Sequence, residues 1–139
     1  MTWSTTDIAA NDIIQQDGVF AYNFIASGTI YKGQAVYVTA NNKVAVTDTD
    51  AGHCDAIGLA CINATNGEQI SVACGGNICV ACADAAPSVG APVYGDTDGA
   101  LTTTIGNAKK VAGYVVDANA SDVSGSVSAT YPVIKVLLV

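Results

Sequence analysis

The sequence predicts an all-β fold: a small barrel or sandwich built from two similar β units, with an N-terminal arm. Three observations lead there. From Val19 onward, β-branched residues, aromatics and alanine come in short runs broken by Gly, Asn and Asp, the spacing of sandwiches and barrels. No stretch carries apolar residues at helical spacing over an ordinary helix length. The second half of the chain also repeats the first.

Residues 1–17 are polar, with Trp3, Ile8, Ile13 and Ile14 as their only sizeable apolar groups. These are too few and too scattered to fold alone, yet too apolar for a purely solvated tail. They are therefore expected to form an arm that orders on a neighbouring subunit, with these four residues as its interface candidates. Asp17-Gly18 marks a turn into a single β domain, 18–139. Candidate strands are 19–26, 34–39, 43–47, 56–62, 68–74, 77–83, 91–94, 100–104, 110–117 and 131–139. Asn41-Asn42 and Asp98-Gly99 each separate two of these strands and favour the positive φ of a tight hairpin turn. The closing strand, Tyr131 to Val139, is almost continuously apolar, which fits a central strand or one covered by a neighbour and not a free edge.

The repeat covers about residues 28–83 and 85–139. Gly33-Gln34-Ala35-Val36-Tyr37 answers Gly90-Ala91-Pro92-Val93-Tyr94, and each is followed by a turn and a short strand of apolar residues and threonine. Ile57-Gly58-Leu59-Ala60 answers Ala112-Gly113-Tyr114-Val115, and Glu68–Ala73 answers Val133–Leu138. The offset drifts from about 55 to about 64 residues, as loop insertions would cause. This pattern predicts Val36 and Val93 in equivalent core positions, with Tyr37 and Tyr94 on the opposite face. Glycines 33, 58, 90 and 113 should mark bends or close backbone approaches.

Composition excludes several function classes. Charged residues are only 12% of the chain, so much of the surface must be Thr, Ser, Asn, Gly and small apolar groups, as where subunits meet. The formal net charge is −7, arginine is absent, and Lys109-Lys110 is the only basic pair. Binding to nucleic acid, which needs clustered cations to displace phosphate counterions, is not expected. No apolar run approaches a membrane span and the N-terminus lacks the regions of a secretory signal, so a soluble protein made in a cytoplasm is expected, with no membrane partner.

No catalytic centre is expected. The only histidine, His53, lies in the polar stretch Asp50–Asp55, no Gly-x-Ser-x-Gly is present, and no cysteine has catalytic flanks. Asp48 with Asp50, and Asp96 with Asp98, fall in turn-like sequence open to solvent. The five cysteines (Cys54, Cys61, Cys74, Cys79 and Cys82) are an odd number and read first as small buried hydrophobes. Cys79 and Cys82 have Cys-x-x-Cys spacing, which Cys74 with His53 or Cys54 could complete as a metal site. On one strand, however, residues three apart face opposite ways, so no metal and no cofactor are assigned. Asp96-Thr97-Asp98-Gly99 opens like a calcium loop but continues with Ala100 and no closing glutamate, and a turn explains it.

The segments Ala26-Ser27-Gly28-Thr29-Ile30-Tyr31-Lys32-Gly33-Gln34-Ala35-Val36-Tyr37-Val38, Ala56-Ile57-Gly58-Leu59-Ala60 and Gly67-Glu68-Gln69-Ile70-Ser71-Val72 together resemble the capsid decoration (cement) proteins of tailed phages. The similarity in order and spacing runs over about residues 18–139. It implies a structural virion protein, not an enzyme, made in the host cytoplasm and placed on the outer capsid surface. Its implied partner is the major capsid protein, whose subunit contacts it stabilises, and it implies a homo-oligomer, a trimer being favoured. The cysteine content departs from that family. Two other classes fit parts of the sequence: a secreted or surface-layer, adhesin-like β module, and a small hydrolase or redox protein using His53 or Cys79/Cys82.

Overall fold

The computed structural model describes residues 21–118 and 132–139; the N-terminal segment with Trp3, Ile8, Ile13 and Ile14 lies outside them. All ten expected strands form, with ends that differ by up to a few residues among the described residues: β1 Ala21–Ala26, β2 Ala35–Ala40, β3 Lys43–Val46, β4 Gly58–Ala60, β5 Gln69–Ala73, β6 Ile78–Cys82, β7 Pro92–Gly95, β8 Leu101–Thr102, β9 Gly113–Asp117 and β10 Val133–Leu138. The only helical element among the described residues is one turn at Thr97–Gly99.

The first five strands close a barrel in the order β1-β3-β2-β4-β5, and the last five form a curled sheet in the order β6-β10-β9-β7-β8. These are two copies of one unit, related pair by pair. In the barrel β1 runs parallel to β3, with Ala26 opposite Val44. In the sheet a single parallel bridge joins Ala83, just after β6, to Leu101 of β8. Val36 faces Gly58 between β2 and β4, as Val93 faces Gly113 between β7 and β9. Every other neighbouring pair is antiparallel in both units. β6 thus stands in the second unit where β1 stands in the first, an equivalence with no clear sequence signal. β10, the apolar closing strand, lies between β6 and β9, as expected of a central strand.

The interiors correspond residue by residue. Ala26, Val36, Val44, Ala60, Ile70 and Val72 fill the barrel. Ala83, Val93, Leu101, Val115, Ile134 and Val136 occupy the same places in the sheet. All twelve are essentially inaccessible to solvent. Tyr37 and Tyr94 lie one residue on from the two valines and so face the other way.

The expected turns use the conformation that their residues allow. Asn42, between β2 and β3, has φ 57°, and Asp98 and Gly99, between β7 and β8, have φ 57° and 73°. Asn and Asp tolerate this left-handed region because a short polar side chain can bond locally. The strand expected from residue 110 starts only at Gly113; the backbone N–H groups of Lys109 and Lys110 are held by the Asp55 carboxylate and not by a neighbouring strand.

Candidate functional site

The most organised polar chemistry lies where the two units meet. Gln34 is buried, and both ends of its amide are used. Its Oε1 accepts from the Tyr31 N–H at 2.8 Å, and its Nε2 donates to the Asp98 carbonyl at 2.8 Å. Thr47, equally buried, donates its hydroxyl to the Asp96 carbonyl at 2.8 Å. Asp55 Oδ1 accepts the backbone N–H of Lys109 at 2.7 Å and of Lys110 at 3.1 Å. A Cβ on Gly95 would sit 2.8 Å from the Cys54 carbonyl oxygen, and one on Gly99 would sit 2.6 Å from the Gln34 Cβ. These glycines let the second hairpin approach the first unit closely. Beside them the apolar cluster of the second unit continues through Ala35, Ala56, Leu59 and Ala73 of the first, so the units share one core.

His53 closes the turn at Asp48–His53. Its Nδ1 lies 3.0 Å from each carboxylate oxygen of Asp48 and 3.8 Å from Asp50 Oδ2. Its ring stacks on Tyr37, with centroids 4.6 Å apart and planes inclined by 17°. These three side chains could offer ligand atoms all within 4.8 Å of one another, and no other such group occurs among the described residues. The Asp-x-Asp-x-x-His spacing in a turn was the signal for this grouping. His53 is therefore gathered with carboxylates and not with Cys74, Cys79 or Cys82. The cluster is largely open to solvent, and its bonds are those of a turn held to the barrel wall.

All five cysteines are thiols, and none is exposed. Cys79 and Cys82 both lie buried on β6, on opposite faces as strand alternation requires. Burial, with smaller contributions from Cys61 and Cys74, pushes the Cys79 thiol up to about 12. Burial also raises Cys54, Cys61 and Cys74. A nucleophilic or metal-binding cysteine needs the opposite shift, toward thiolate. The Asp96–Gly99 segment forms the β7–β8 turn. A groove of about 340 Å³ lies beside it, lined by polar residues such as Asp84, Asp96, Thr102 and Asn107 and by apolar ones such as Cys54 and Ile105.

The geometry is that of a doubled β body tied at its waist, without a set of side chains poised for bond chemistry among the described residues. Residues 52–130 match the sequence profile of the phage cement proteins, more than half of the chain. The chain belongs to the phage cement protein family. Membership makes it a phage capsid structural protein, associated with the capsid of the virion. The crystal structure of the head fiber gp8.5 N base of bacteriophage phi29 has a similar fold, with a TM-score of 0.54 and 13% identity over 87% of this chain and 94% of that one. No curated protein sequence matches the chain.

Proposed function

We propose that this cement protein binds the outer surface of the capsid as a homo-oligomer, a trimer being favoured, and stabilises contacts between major capsid subunits. Family membership over residues 52–130 is the observation that carries this reading. The low charge and absence of arginine suit a protein that must sit on a nucleocapsid without trapping nucleic acid. Synthesis in the host cytoplasm accords with its thiol-rich, disulfide-independent core. The residues proposed for the contact include Trp3, Ile8, Ile13 and Ile14 of the N-terminal segment, with no catalytic role for any residue.

The test is to add purified protein to capsids assembled without it, then measure the bound copies and the temperature at which the capsids release DNA. Saturable binding with a raised release temperature is expected. Binding without any gain in capsid stability would overturn the cementing role. Removal of residues 1–17 should spare the β fold and weaken attachment; undiminished attachment would shift the contact to the β body.

A further inference from the structure

The groove beside the β7–β8 turn is built from both halves of the chain. Cys54 of the first unit lines it together with Asp84, Asp96, Thr102, Ile105 and Asn107 of the second. Hydrogen bonds fix its walls. Asn107 Nδ2 donates across to the Thr49 carbonyl at 3.0 Å. The buried Thr102 hydroxyl donates to Asp84 Oδ2 at 3.0 Å and accepts the Thr104 N–H at 3.1 Å. At about 340 Å³ the groove stands at the lower end of the sizes that hold small ligands, room for one long side chain.

Its charge is one-sided. Asp84 and Asp96 are both half-buried, and neither pairs with a cation among the described residues. The Asp96 carboxylate does not cap the helical turn that it precedes. No lysine lines the groove. Residues 1–20 and 119–131 contain no lysine, arginine or histidine, so no side chain there can supply the missing charge either. The fold does not demand these two carboxylates. Ala83 corresponds to Ala26 and Val93 to Val36, so Asp84 and Asp96 stand where the barrel has Ser27 and Thr39. The Asp84 N–H donates to the Leu101 carbonyl at 2.9 Å as the Ser27 N–H donates to that of Val44 at 2.8 Å, so the same backbone bond forms beside a neutral side chain. The second unit therefore holds two negative charges that the chain leaves unneutralised, in a concavity that concentrates their field.

We propose that this groove receives a lysine or arginine side chain of the major capsid subunit, its cation held by the Asp84 and Asp96 carboxylates. Ile105, 58% exposed, offers apolar surface for the aliphatic stem. Long cationic side chains lay their methylenes on such surface while the head group keeps polar partners, and carboxylates give that head group its strongest hydrogen bonds. The inference names a contact on the β body for the capsid binding proposed above and rests on that reading.

Binding of the full chain to capsids assembled without it, measured across salt concentrations, tests the assignment with Asp84→Asn, Asp96→Asn and Asp96→Lys. Native attachment should weaken as salt rises. Each Asn variant should bind about tenfold more weakly and with a flatter salt dependence, and Asp96→Lys more weakly still. All three should keep the circular dichroism of the native fold. Asp98→Asn removes the same charge from the same turn outside the groove, at a positive φ that Asn tolerates, and should bind as the native chain does. Asn variants in the groove that bind as tightly as the native chain, or an equal loss in Asp98→Asn, would overturn the proposal and leave decoration standing. So would attachment lost to a chelator and restored by calcium, which makes a metal ion the occupant. A changed sedimentation coefficient of Asp96→Lys without capsids would likewise overturn it, in favour of a lysine from a second copy. If the native chain attaches to capsids at no salt concentration, the decoration reading itself fails and takes this partner with it.

Discussion

Gly113 lies directly beneath the carbonyl oxygen of Leu137, where a Cβ would overlap that oxygen and the Val136 side chain. Gly58 stands in the same relation to the Ala73 carbonyl in the barrel, again with a valine, Val72, as the second contact. Both obstructing atoms belong to backbone within a paired strand and cannot swing aside. Gly58→Ala and Gly113→Ala should each destabilise the fold by about 1–3 kcal/mol, the range of overpacked cores. Denaturant unfolding checks this, and a neutral result at either position would show that the strand pair can open without loss.

Val36 and Val93 head the two equivalent interiors, and neither is accessible to solvent. Truncation to alanine removes the same methyl groups from corresponding, fully buried positions, so Val36→Ala and Val93→Ala should cost similar amounts, on the order of 1–3 kcal/mol. Leu101→Ala should cost more than Val44→Ala at the matching position, because the larger side chain leaves the larger cavity. Equal midpoint shifts for Leu101→Ala and Val44→Ala would mean that the sheet relaxes where the barrel cannot.

The strands, both hairpin turns and the four marker glycines were legible because each has a local cause: β-branched runs, Asn or Asp-Gly at positive φ, and glycine at a positive φ (Gly33, Gly90) or where backbones touch (Gly58, Gly113). The correspondence of Val36 with Val93 was legible from the Gly-led segments around them. The match of β1 with β6 was not, since Ala21–Ala26 and Ile78–Cys82 share little beyond small and apolar residues. Closure of the barrel by a parallel β1–β3 pair depends on backbone hydrogen bonds between distant segments, which leave no mark on side-chain identity. The same holds for the waist, where Gln34 and Thr47 bind backbone carbonyls of Asp98 and Asp96, and any residues there would present those carbonyls.

That waist has a predicted ranking of its own. Gln34→Leu would leave the Tyr31 N–H without its side-chain acceptor and the Asp98 carbonyl without its side-chain donor in a buried place, at a cost of about 1–3 kcal/mol. Asp55→Ala removes an acceptor from two more exposed N–H groups that water can reach, so about 1 kcal/mol or less is expected. Asp55→Asn keeps an oxygen acceptor and should fall closer to the native protein. Thermal unfolding of the three variants gives the order, and Asp55→Ala proving the most harmful would move the main tie to the Lys109–Lys110 loop.

The Cys79 thiol supplies a pH dependence whose sign follows from burial. Its pKa is held near 12, against an ordinary value of 9.0 for the exposed group. Above that ordinary value the unfolded chain releases the proton while the native chain keeps it, so the unfolded state binds fewer protons and stability falls as pH rises. The contribution is complete below about pH 9 and is lost progressively toward pH 12. Cys54, Cys61 and Cys74 act in the same direction, so the Cys79 part must be isolated by substitution. Cys79→Val replaces the thiol with an apolar group of similar size in a fully buried site and has no proton to lose. Between about pH 8 and pH 10.5 the native protein should therefore lose more stability toward urea than the variant does. Thiol reagents should leave Cys79 untouched until the protein unfolds. Parallel losses in the two proteins over that range would show that Cys79 is not what makes the core sensitive to alkali, and would move the origin to the other raised thiols, Cys54, Cys61 and Cys74.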